Sequence, residues 1–204
     1  MRTKMKIALS AAIAMGLGLA NTATAFEPGD WLVRAGASYV NPASDNSDIV
    51  SVESASSFTI NFTYMMTDVW AIEVLAAYPF KHDIELLDGT KVGSTKHLPP
   101  TVSLQYHFRP TEKFQPYVGI GLNYTTFFSE KTTGPLEGTD LKLGDSWGLG
   151  GEIGFDVMFN DDWFFNANAR YLDIETKARL DGNSLGKVNI DPWVFGGHIG
   201  FRFK

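Results

Sequence analysis

The 204-residue sequence contains no cysteine, which excludes both a disulfide framework and a metal site built on thiolates. Positive charge is also scarce, because 17 lysines and arginines stand against 23 aspartates and glutamates, for a formal net charge of -6. We therefore expect no nucleic-acid partner, since neutralising phosphates requires clustered basic residues. After residue 20 the sequence also lacks an apolar run long enough for a transmembrane helix.

The N-terminus has the pattern of a secretory signal peptide. Basic residues precede an apolar run at 7–20, and the Ala-Thr-Ala triplet at 23–25 supplies the small residues of a cleavage site. We therefore predict that residues 1–25 are a cleaved signal peptide. Residues 26–204 are then a single exported domain.

The mature sequence consists of segments in which large apolar residues alternate with small or polar ones, as β-strands with one apolar face do. The clearest segment is 114–128, where Val118, Ile120 and Leu122 alternate with glycine and asparagine. Aromatic residues make up 13% of the chain and cluster at the ends of these segments, where the two interfaces of a bilayer would place them. The seven other segments lie at 30–41, 58–64, 69–80, 98–108, 147–157, 163–171 and 193–203.

The connections between these eight segments alternate strictly between long and short, as in an outer-membrane barrel with one outer and one periplasmic rim. In a soluble β-sandwich, this alternation of connection lengths is not expected. The sequence therefore predicts an all-β fold, an eight-stranded antiparallel transmembrane β-barrel with four long extracellular loops and three short periplasmic turns. An even strand number places both mature termini in the periplasm. The long polar loops are predicted at 41–56, 81–97, 129–146 and 176–192.

The inward faces of the predicted strands carry more charged and amide groups than a soluble core could satisfy. In a barrel lumen these groups can pair with one another and with water. We expect Arg170 to pair with Glu73, Glu152 or Asp156 and to hold the strands in register. The full inward set is Arg34, Glu73, Gln105, His107, Glu152, Asp156, Arg170, His198 and Arg202.

Four apolar residues, Leu32, Val40, Leu75 and Phe164, fall on the same inward faces. They are candidates for an apolar gate that passes hydrophobic solutes and resists ions. The alternative is that they only pack the lumen, which side chains nearly fill in a barrel of eight strands.

Two sets of polar residues could be interpreted as a metal site or as a catalytic site. His82, Asp83, Glu85 and His97 share one predicted loop, but they lack a recognised ligand spacing, so we predict no metal and no cofactor. Ser103 and His107 share a strand face, but an inward pair would not meet an acyl substrate that arrives from the lipid. We therefore predict that the protein is not an enzyme.

Seven stretches of the sequence resemble the outer membrane protein W family, and together they cover essentially the whole mature chain in order. They are FTYMMTD at 62–68, EVLAAYPFKH at 73–82, KHLPPT at 96–101, FQPYVGIGLNYTTFF at 114–128, LKLGDSWG at 141–148, DWFFNANARYLDIET at 162–176 and DPWVFGGHIGFRF at 191–203.

The resemblance implies a barrel in the outer membrane of a Gram-negative cell, with a narrow channel associated with passage of small hydrophobic compounds. Outer-membrane lipids and, during biogenesis, the barrel-assembly machinery are the implied partners. We therefore expect a passive channel for small hydrophobic solutes. The alternative is a structural or receptor barrel with a plugged lumen, since some family members are receptors for colicins or phage. A soluble lipocalin-like carrier is disfavoured by the rows of outward Trp and Phe.

Overall fold

The structure is a computed structural model that describes residues 26–43, 46, 50–108 and 113–204. The predicted signal peptide lies outside the described residues. Regular structure in the described part is β-strand, apart from one short 3₁₀ turn at Gly134–Leu136. None of the described residues belongs to a helix that is long and apolar enough to cross a membrane.

Eight strands form the wall of a barrel, and six mostly short strands lie beyond it at one end, three of them in the same sheet as the wall and three in a separate sheet. The wall strands are β1 (Trp31–Asn41), β3 (Ala55–Met65), β4 (Trp70–Ala77), β7 (Thr101–His107), β8 (Phe114–Thr132), β10 (Ser146–Met158), β11 (Trp163–Leu172) and β14 (Trp193–Phe203). The short strands are β2 (Val50–Val52), β5 (Phe80–Leu86), β6 (Lys91–Leu98), β9 (Leu141–Leu143), β12 (Glu175–Leu180) and β13 (Asn183–Asn189).

The wall strands pair antiparallel in the order β1-β3-β4-β7-β8-β10-β11-β14, and β14 pairs again with β1. This closure confirms the predicted eight-stranded barrel, in which every wall strand is paired with a neighbour on each side. Short connections join the strands at one end of the barrel, here called the turn end. Long connections join them at the other, the loop end.

Two of the long polar loops that the sequence predicted, at 81–97 and 176–192, contain regular structure. The first folds mostly into the hairpin β5–β6 and the second into the hairpin β12–β13. The second hairpin turns at Asp181 and Gly182, both with positive φ, as a two-residue hairpin turn requires. Strand β8 also continues to Thr132, past the predicted end at 128, because β6 pairs with its extension. These hairpins lie beyond the eight-stranded part of the barrel, at its loop end.

The exterior of the barrel is apolar and carries aromatic pairs at both ends. At the turn end, the ring centroids of Trp31 and Tyr64 lie 4.9 Å apart, and those of Trp163 and Phe201 lie 4.8 Å apart. Toward the loop end, Tyr124 contacts Trp147 at 4.8 Å. Exposed aliphatic residues occupy the band between the two aromatic belts. This distribution matches the two interfaces and the hydrocarbon layer of a bilayer.

Candidate functional site: a solute cavity above a closed lumen

A network of buried ion pairs crosses the lumen at mid-height, with Arg34 at its centre. Arg34 donates from Nε to Asp156 Oδ1 at 3.1 Å and from Nη2 to Asp156 Oδ2 at 2.8 Å. From Nη1 it donates to Thr63 Oγ1 at 2.6 Å and to Glu73 Oε2 at 3.1 Å. One guanidinium on β1 therefore links β10, β3 and β4, which closes the lumen with paired charge.

A second arginine completes the network from β11. Arg170 pairs with Glu73 through Nη2, and the same nitrogen lies 3.0 Å from Glu152 Oε2. These contacts are with two of the three carboxylates that the sequence offered as partners. Gln105 Nε2 bridges the two acids, with 2.9 Å to an oxygen of each, and its Oε1 contacts His107 Nε2 at 3.0 Å.

The remaining inward polar residues lie on either side of the arginine pairs. His198 on β14 contacts Thr59 Oγ1 at 2.8 Å and Asn166 Oδ1 at 3.2 Å. Near the turn end, Arg202 Nη1 lies 3.7 Å from Asp30 Oδ2. All nine members of the inward polar set are buried. The lumen therefore contains no wide aqueous path at this height.

Below the network, the turn end is closed by a buried apolar cluster that contains Phe26, Leu32 and Phe164. The ring of Phe26 packs edge-on against Phe164 at 5.5 Å and against His107 at 6.0 Å. The first described residue of the chain thus lies inside the turn end. Met65, Ala71 and Met158 complete the cluster.

Above the network, the hairpins of the loop end enclose a cavity of about 70 Å³. Its lining is dominated by aliphatic side chains from every long connection. The few polar ones are His82, Thr95 and His97 of the hairpin β5–β6 and Thr176 of β12. Leu185 lies on its rim, because it lines the cavity and is also half exposed. The aliphatic lining is Val50, Val52, Ile84, Val92, Leu136, Leu141, Leu143, Ala178, Leu185, Val188 and Ile190.

A much smaller space of about 10 Å³ lies between this cavity and the arginine network. Leu75, Val40 and Phe80 line it on the apolar side, and Arg170 and His198 line it on the polar side. Val40 and Phe80 also belong to the buried apolar cluster of the loop end. The lumen therefore changes from apolar to ionic within this space.

The wall beside this smaller space is interrupted between the third and fourth barrel strands. Pairing of β4 with β7 ends at Leu75 and Thr101, and pairing resumes at Phe80 and His97 in β5 and β6. The intervening residues include three prolines, which have no N–H to donate. We call this interruption, formed by residues 76–79 and 98–100, the seam.

A stack of aromatic rings runs from the seam into the large cavity. The centroid of His97 lies 5.4 Å from that of Phe80, 4.8 Å from that of His82 and 5.8 Å from that of Phe127. Burial lowers the pKa of His97 to about 3 and also lowers the pKa of His82. Both imidazoles are therefore neutral at neutral pH, and the cavity carries no charge from them.

The four candidate gate residues do not meet in one ring. Val40 and Leu75 lie on the loop side of the arginine network, whereas Leu32 and Phe164 lie in the turn-end cluster. Phe80 was missed, because continuing the alternation of 69–80 makes it face the lipid. Pro79 ends that strand, and Phe80 begins β5 facing inward. The proline was the signal that could have revealed this change.

Comparison with known proteins identifies the family. The OmpW family model matches residues 27–203. Outer membrane protein W of Vibrio cholerae is 46% identical over 198 residues, which cover 88% of this chain and 91% of that relative. Outer membrane protein W of Escherichia coli is 39% identical over 212 residues, covering 98% and 100% of the two chains. The chain belongs to the OmpW family.

A solved OmpW-like structure has the same architecture. The crystal structure of outer membrane protein OprG from Pseudomonas aeruginosa superimposes with a TM-score of 0.78 at 39% identity, covering 87% of this chain and 97% of that one. Membership of the OmpW family makes this protein a transmembrane β-barrel of the outer membrane.

The alternative chemistries have little support from the geometry of this OmpW-family barrel. Among the described residues, no group of three or more His, Cys, Asp or Glu side chains could hold a metal ion. His82 and His97 stack face to face within the hairpin β5–β6. His107, the histidine of the Ser103 pair, instead stacks on Tyr117 at 5.1 Å and bonds to Gln105.

Proposed function

We propose that this protein is a channel through which small hydrophobic molecules pass from the outside into the outer membrane. The observation that carries the proposal is the position of the apolar cavity, which opens among the extracellular hairpins and ends at the arginine network. An apolar solute gains by leaving water for such a lining. The cavity therefore takes up hydrophobic molecules from the external medium, at a level outside the hydrocarbon of the outer leaflet.

The proposed exit is sideways, through the seam into the membrane. Passage straight down the lumen would require separating Arg34 and Arg170 from their carboxylates, and breaking a buried pair costs about 3–5 kcal/mol. The seam offers a path that breaks no ion pair, since Leu75, Phe80 and Pro99 line the space next to it. Local opening there is favoured because the two sides share no ladder pairing between Leu75–Thr101 and Phe80–His97.

The test compares two matched substitutions on opposite sides of the arginine network. Leu75→Asn places an amide in the apolar path above the network, and Leu32→Asn makes the same change below it. Each variant is refolded into vesicles with lipopolysaccharide in the outer leaflet, which slows entry that does not depend on the protein. Uptake of phenylnaphthylamine is followed by the rise in its fluorescence when it enters lipid. Circular dichroism and gel mobility establish that each barrel has folded.

The proposal predicts that wild type accelerates uptake, that Leu75→Asn slows it and that Leu32→Asn leaves it unchanged. Slowing by both variants would instead indicate an axial path. If folded wild type gave no acceleration, the channel function would be wrong. A structural or receptor barrel, whose plugged lumen only supports loops that colicins or phage bind, would then be the remaining function.

A further inference from the structure

We propose that the extracellular cavity selects hydrophobic molecules that carry one hydroxyl group, and that His82 Nε2 accepts the hydrogen bond from this hydroxyl. The inference rests on the proposed channel function and names the class of solute that the cavity prefers. It depends on one buried, unpaired acceptor, His82 Nε2, in a lining that is mostly aliphatic.

The protonation of the His82 ring follows from its partner. His82 Nδ1 is hydrogen bonded to the backbone carbonyl oxygen of Glu53, which can only accept. Nδ1 therefore carries the proton, and in a neutral imidazole the other nitrogen, Nε2, is then an acceptor with a free lone pair. Burial lowers the pKa of His82, so this neutral form is the one present at neutral pH.

This acceptor has no partner in the protein. His82 is 1% exposed and lines the cavity, and Nε2 makes no hydrogen bond within the described part of the chain. A buried polar atom without a partner costs free energy that a ligand can recover by supplying the missing donor. Thr95, which is paired with His82 across the hairpin, instead donates to the carbonyl oxygen of Lys96 at 3.3 Å.

The geometry also limits what the ligand can be. Because Nε2 only accepts, the ligand must present an O–H or N–H donor, and ethers, esters and alkanes cannot do so. The rest of the lining is mainly aliphatic, with Thr95, His97 and Thr176 as its other polar side chains, which disfavours an ionised group on the ligand. An apolar body with a single hydroxyl, such as a medium-chain alcohol or a phenol, satisfies both conditions.

The test uses two isomers that differ in the hydrogen-bond donor. The protein in lipid nanodiscs is titrated with n-octanol and with methyl heptyl ether, and binding is read from the NMR shifts of cavity amides such as that of Gly93. Wild type is expected to bind the alcohol about fivefold more tightly than the ether. His82→Phe keeps a ring to stack on His97 but removes the acceptor. The ratio of its affinities for the alcohol and the ether should therefore fall to about one. Thr95→Val is the matched control, since it removes a hydroxyl from the same wall and should keep the preference.

A second measurement needs no variant. The nitrogen NMR signal of His82 Nε2 should shift upfield when octanol binds, and it should stay unchanged with the ether. Equal affinity for the two isomers in wild type, or an unchanged preference in His82→Phe, would overturn the inference while leaving the channel function intact. If neither compound perturbed the cavity amides, the proposed solute site itself would be wrong.

Discussion

Arg34 and Asp156 form a two-pronged ion pair across the lumen, with Nε–Oδ1 and Nη2–Oδ2 distances of 3.1 Å and 2.8 Å and with both side chains fully buried. The two residues are 122 positions apart in the chain and belong to strands that are not neighbours in the barrel. The pair therefore braces the barrel across its interior, in a way that strand pairing alone cannot.

Asp156→Asn should destabilise the folded barrel by about 3 kcal/mol, because it leaves a buried arginine with less compensating charge. The free energy of unfolding is measured by urea titration of protein in lipid vesicles. Asp162→Asn, in the exposed turn between β10 and β11, is the matched control and should change it little. Similar values for the two variants would show that the pair contributes no bracing.

Gly36→Ala should weaken the pairing between β1 and β14. A Cβ at this position would lie 2.1 Å from the carbonyl oxygen of Gly197 and 2.7 Å from the Cα of His198, so backbone must move. We expect a loss of about 1–3 kcal/mol in unfolding free energy and a lower refolding yield. Gly151→Ala, where nothing lies within 4 Å of the added atom, should behave as wild type. An unaffected Gly36→Ala barrel would contradict the close approach of these strands.

The stability of the loop end should fall in acid because of His97. Its pKa is about 3 in the folded protein and 6.5 in an unfolded chain, so the unfolded state binds more protons between these values. The contribution is fully present above pH 6.5 and is lost as the pH falls toward 3. Urea unfolding at several pH values should show a shallower acid loss in His97→Phe, whose ring keeps the contacts with Phe80 and Phe127. Parallel pH profiles would contradict the prediction.

Ile120→Arg should impair insertion, because Ile120 is 72% exposed on β8 in the band between the aromatic belts. A cation facing the hydrocarbon near the bilayer midplane costs about 2–4 kcal/mol. Leu87→Arg changes a residue that is also apolar and exposed, but Leu87 lies at the tip of the hairpin β5–β6. This substitution should leave the unfolding free energy almost unchanged. Both effects are measured as unfolding free energies in vesicles. Equal effects would mean that Ile120 does not face lipid.

Much of the barrel could be predicted from the sequence because a strand has a side-chain period of two. Alternation alone indicated that Arg34, Glu73 and Arg170 face inward and that Ile120 faces outward. The choice of partners could not be predicted in this way. The alternation of faces left Arg170 with three possible carboxylate partners. Only the closed barrel brings Glu73 and Glu152 to Arg170, while Asp156 pairs with Arg34.

The amino-acid sequence by itself determined the strand count, the alternation of long and short connections and the face on which each barrel residue lies, because these depend on local order along the chain. The tertiary structure alone decided the ion-pair partners, the seam and the cavity. These features depend on segments that are far apart in sequence, as when the Glu53 carbonyl sets the tautomer of His82. They also depend on the break at Pro79, which turns Phe80 from the lipid to the lumen.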